Sequence, residues 1–126
     1  MKSYEREIKF RAWEPATNTI WDVREIEWAD GQILDLYLGL HSTGNPDDAG
    51  VSVLQFTGLT GKDGTEIYEG DWFRPDIPNS RTAMLVEWDE HKASYKPFND
   101  PNYNYSSSAG KIIGNKYENP ELIDAE

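Results

Sequence analysis

The sequence of 126 residues contains no cysteine. Disulfides, thiolate zinc sites and cysteine nucleophiles are therefore excluded, and a reducing compartment such as the cytoplasm is compatible with the chain. No apolar run approaches the length of a membrane span. The N-terminal MKSYEREIKFRAW has no apolar core of the kind a signal peptide needs. No membrane partner is expected. Bases are also scarce: 12 Lys and Arg face 23 Asp and Glu, for a net charge of −11. A protein that grips the phosphate backbone needs a basic footprint, so direct nucleic-acid binding is not expected either. The two histidines stand far apart and belong to no ligand motif. There is no fixed-period repeat and no heptad pattern. No catalytic residue, cofactor or metal site is expected, and the chain reads as a non-enzyme.

What the chain has is aromatics: five Trp, seven Tyr and four Phe, spread along its length. Each buries a large area, so a real core is possible. The apolar residues alternate in short runs, which is the period of strands. Ile8, Phe10 and Ala12 share one face of the first run, with Lys9, Arg11 and Trp13 on the other. Pro15-Ala16-Thr17-Asn18 supplies turn chemistry before Ile20-Trp21-Asp22-Val23, so 7–23 predicts a hairpin. Ile26 and Trp28 alternate next. Asp30-Gly31 suits a tight turn, and Leu34, Leu36, Leu38 and Leu40 then recur at period two. Residues 41–50 predict a loop, and any boundary between two lobes would lie there.

The middle of the chain, LQFTGLTGKDGTEIYEGDW at 54–72, predicts two strands joined by a tight turn at Gly61-Lys62-Asp63-Gly64. Gly64 is placed for a left-handed conformation. Gly70 interrupts the second run and predicts a bend, with Asp71 able to accept bonds from nearby backbone N–H groups. Met84, Val86 and Trp88 predict one further strand, 93–98 another and 111–114 a last one. Asn119-Pro120-Glu121 has the form of a helix start, good for one or two turns. The fold class expected is all-β, a small barrel or two β lobes with little helix. The chain is expected to be one domain, 1–126, with lobes at 1–50 and 51–126 if it divides.

Several segments look like sites and have simpler readings. Asp89-Glu90-His91 groups two carboxylates and an imidazole, but a solvated turn between strands explains them better. Asp47-Asp48 before Gly50 lacks the spacing of a calcium loop. The Gly-Lys-Asp-Gly turn lacks the length, the Lys-Ser or Lys-Thr pair and the following helix of a phosphate-binding loop. Gly61, Gly64, Gly70 and Asp71 are therefore expected to serve geometry. The five tryptophans cannot all sit at the centre of a small core, so some should face a partner. Trp13 is the first candidate, followed by Trp21 and Trp28.

Three blocks, REIKFRAWEPATNTIWDV, LQFTGLTGKDGTEIYEGDWF and VEWDEHKASYKPF with IIGNKYENPEL, resemble the YopX-like family of phage and prophage proteins. The middle block is the most specific, and the loops at 41–50 and 99–110 fall outside the match. The resemblance implies an all-β fold whose C-terminal half is similar to an SH3-like barrel, a bacterial host cytoplasm and, for some members, oligomers. It transfers no catalytic motif. The function expected is a protein-interaction or self-assembling module whose partner is a protein or a second copy. An acidic decoy that occupies a nucleic-acid-binding host protein is the alternative.

Overall fold

The computed structural model describes residues 7–78, 82–101 and 106–124. The chain is nearly all β, as the alternation predicts, and forms two compact units that meet in sequence between Gln55 and Phe56.

In the first unit, strands β1 (Phe10–Glu14) and β2 (Thr19–Asp22) form the expected antiparallel hairpin, with Trp13 opposite Ile20 and Ala12 opposite Trp21. Asn18 turns the chain at φ 53°, its N–H donating to the Pro15 carbonyl. Strands β3 (Glu25–Ala29) and β4 (Gln32–Tyr37) form a second hairpin. Asp30 and Gly31 both have positive φ, 53° and 77°, the condition for a turn whose twist matches its strands. The helix α1 (Pro46–Ala49) leads into β5 (Ser52–Thr60), whose first residues pair with β1. Ala12, Leu36, Leu38 and Val51 form the buried core, covered by Trp21, Val23, Ile26, Ile33 and Val53.

Three expectations change here. Ile8 lies before β1 and is exposed, whereas Ala12 and Glu14 point inward. The four leucines do not share a face. Glu27 pairs with Asp35 and Trp28 with Ile33, so Leu34 is an extra residue, a β-bulge. The bulge re-phases the strand: Ile33 and Leu36 reach the core while Leu34 is 41% exposed. Leu40 is exposed beyond the strand end. The loop at 41–50 contains α1. Asn45 Oδ1 accepts from the Asp47 N–H, Pro46 fills the first helical position and Gly50 closes the turn at φ 67°. The same Asn-Pro-acid order at 119–121 begins a 3-10 turn at Pro120–Asp124.

In the second unit, the distal part of β5 pairs with β6 (Glu66–Tyr68). Strand β7 (Asp71–Pro75) lies between β8 (Met84–Leu85) and β11 (Gly110–Asn115). Strands β9 (Glu87–Asp89) and β10 (Ser94–Lys96) form a ribbon. The single strand expected over 84–88 is thus two strands with different partners. Val86 divides them: its N–H donates to the Asp71 carbonyl and its carbonyl accepts from the Gly70 N–H. The core is Ile67, Phe73, Val86 and Tyr95, with Leu59, Phe98 and Ile112 against it. Phe73 and Phe98 meet edge to face at 4.9 Å, a favoured aromatic geometry.

Candidate functional site

Gly61 and Gly64 lie between β5 and β6, and Gly70 lies in the turn before β7, which Asp71 begins. The Gly61 N–H donates to the Thr65 carbonyl and the Gly64 N–H to the Gly61 carbonyl, with Gly64 at φ 84°. Gly70 has φ 88°, and Asp71 Oδ2 accepts the Tyr68 N–H at 2.8 Å. This carboxylate therefore braces the bend that sends β6 into β7.

The tryptophans separate. Trp21 stands opposite Ala12 and shares its inward face, whereas Trp13, one residue on, takes the other face and is half-buried. Trp21 packs on the core, donates from Nε1 to Thr17 Oγ at 3.0 Å and sets its ring edge-on to His41 at 5.3 Å. Trp28 is 56% exposed on β3. Trp72 is buried, its Nε1 donating to the Asn119 carbonyl. Trp88 is 49% exposed, packed edge-on against Tyr95. Beside it opens a groove of about 500 Å³ lined by Leu59, Tyr95 and Phe98. Trp88 is an exposed aromatic that the strand pattern did not single out. Alternation pointed the other way: a strand running unbroken through Val86 would have turned Trp88 inward.

A second feature has no local sequence signal. Glu14 is buried and its carboxylate accepts from Thr17 Oγ at 2.7 Å and from His41 Nε2 at 2.8 and 2.9 Å. Burial alone would raise the Glu14 pKa; the hydrogen bonds from Thr17 and His41 and the charge of His41 outweigh it and hold the carboxyl below its ordinary value. The four side chains, Glu14, Thr17, Trp21 and His41, form one network.

Asp89-Glu90-His91 forms a turn. Asp89 accepts from the N–H groups of His91 and Lys92 and from Asn99 Nδ2, while Glu90 and His91 face solvent. Asp47 and Asp48 sit in the first turn of α1. Among the described residues no group of three or more His, Asp or Glu is placed to hold a metal ion. Among the described residues no helix is long and apolar enough to cross a membrane.

Charge is unevenly placed. No Lys or Arg occurs between Arg24 and Lys62. Within that span Glu27 and Asp35 are cross-strand partners, and Glu25 shares their face beside Tyr37. In the second unit Lys62, Arg74 and Lys111 line one cleft of about 560 Å³ with Asp63 and Asp76.

The crystal structure of protein EF1440 from Enterococcus faecalis is similar at a TM-score of 0.72 and 22% identity, covering 95% of this chain and all of that one. At that identity the likeness establishes the fold alone. No curated protein matches the sequence. The family model described as YopX protein matches residues 9–124, nearly the whole chain. The chain therefore belongs to the YopX family.

Proposed function

We propose that the protein is a non-enzymatic interaction module of phage or prophage origin, acting in the bacterial cytoplasm on a protein partner or a second copy of itself. The observation that carries this reading is the exposure of two tryptophans, Trp28 at 56% and Trp88 at 49%, the latter bordering an aromatic groove. Aromatics dominate binding energy where a partner covers them. The family membership agrees with the phage origin. The reading includes an SH3-like arrangement of the C-terminal strands, a kind of fold that hosts many unrelated sites.

The test is light scattering with affinity capture from the host, repeated for Trp28→Ala and Trp88→Ala. The proposal expects self-association or a captured partner that one of the two variants loses while its melting temperature holds. A strict monomer that captures nothing would overturn it.

The acidic decoy remains a second reading because Glu27 and Asp35 oppose each other across β3 and β4. Like charges directly opposite destabilise a strand pair, and a basic partner would relieve them. Glu27→Gln with Asp35→Asn should then weaken a salt-sensitive association with an oligolysine peptide. Unchanged binding would remove the idea.

A further inference from the structure

Arg74 on β7 and Lys111 on β11 are direct cross-strand partners. Their side chains share a face, so two cations stand opposite each other, an arrangement that costs stability when nothing lies between them. Both line the cleft of about 560 Å³ with Lys62, in a chain whose net charge is −11. The acids beside them are already engaged. Asp76 is ion-paired with Lys62, and Asp63 Oδ1 accepts the Thr65 N–H at 3.2 Å. Both acids are held below the ordinary carboxyl range: Asp76 first by the hydrogen bond and charge of Lys62, Asp63 first by the Thr65 N–H, with Lys111 contributing to each. Among the described residues Arg74 has no such partner. Its Nε is buried without a hydrogen bond among the described residues, and a buried guanidinium N–H without an acceptor is costly.

The cleft is built by close approach. A Cβ on Gly110 would collide with the Arg74 carbonyl, the Phe73 ring and Pro75, and one on Gly61 would press on the Gly110 carbonyl at 3.3 Å. The two glycines let the 61–64 turn, the end of β7 and the start of β11 share one wall. The turn itself offers little to an anion. Its N–H groups at Gly61, Lys62 and Gly64 donate to the carbonyls of Thr65, Gly110 and Gly61. Recognition falls to the guanidinium and the two ammonium groups.

We propose that Arg74, flanked by Lys111 and Lys62, is a receptor for a single carboxylate of a polypeptide, either a chain terminus or an acidic side chain. The planar fork of Arg matches a carboxylate bidentately. A phosphate dianion fits worse, because Asp63 and Asp76 in the same lining repel a second negative charge. The cleft shares no lining residue with the groove beside Trp88, so the proposal does not rest on the role of the exposed tryptophans.

The test is an NMR titration that follows the Arg74 Nε–H signal. Four probes are used: a neutral peptide with a free C-terminus, the same peptide amidated, an amidated peptide with one internal Glu, and inorganic phosphate. A saturable shift with the first or third probe, absent with the second, supports the proposal and separates terminus from side chain. Arg74→Gln should weaken that binding about ten-fold or more, read on the Lys111 amide signal. If that variant fails to fold, Lys111→Gln should weaken it in the same direction. No saturable shift with any peptide, or tighter binding of phosphate than of carboxylate, would overturn the proposal.

Discussion

His41 Nε2 donates to both carboxylate oxygens of Glu14, at 2.8 and 2.9 Å, across 27 residues of chain. The contact ties the end of β1 to the segment that follows β4, and Thr17 and Trp21 extend it. A buried carboxylate without these donors would be strongly disfavoured.

Glu14→Gln should therefore lower stability at neutral pH by about 1–3 kcal/mol. The sign of the pH effect follows from the lowered Glu14 pKa. Its stabilising contribution is complete above the ordinary value of 4.5 and is lost as pH falls through the lower folded value. The gap between variant and wild type should shrink on acidification. Urea unfolding at neutral and acid pH reads this directly, and a gap that stayed constant would contradict the network's role.

The bulge at Leu34 makes a paired prediction. Leu36→Ala, in the core, should cost about 2–5 kcal/mol. Leu34→Thr should change stability by no more than about 0.5 kcal/mol, because Leu34 is the extruded residue. Thermal unfolding of the two variants decides it. Equal losses would mean that Leu34 and Leu36 share a buried face.

Glycines 64 and 110 should respond to alanine for different reasons. At Gly64 nothing lies within 4 Å of an added Cβ, so only the left-handed φ of 84° is penalised, by about 1 kcal/mol. At Gly110 the obstacles include the β7 backbone at Arg74 and Pro75, and the loss should approach about 3 kcal/mol. Chemical denaturation of both variants should rank them in that order.

Asp71→Ala removes the acceptor of the Tyr68 N–H and should cost about 1–3 kcal/mol. Asp71→Asn keeps an acceptor oxygen and should recover part of the loss. Hydrogen exchange at the Tyr68 amide supplies the local reading: it should accelerate in the alanine variant and less so in the asparagine one.

Strand identity, turn positions and the all-β class were legible in the sequence because they rest on local rules. Alternation marks a strand wherever one face is buried. Asp30-Gly31 and Gly64 carry backbone angles that few other residues accept. The start of α1 was written just as locally, in Asn45-Pro46-Asp47, but its Gly and Pro content reads equally well as a loop.

Tertiary structure decided the phase of the strands and the company of the side chains. The bulge at Leu34 depends on which partner residue β3 presents, and the division at Val86 depends on hydrogen bonds to Gly70 and Asp71. Trp88 faces outward, and Glu14 meets His41, only once distant segments have paired. The opposition of Arg74 and Lys111 is likewise a matter of register. Composition announced an acidic chain with surplus aromatics. Where those charges and rings converge was set by pairing between residues far apart in sequence, which no local rule encodes.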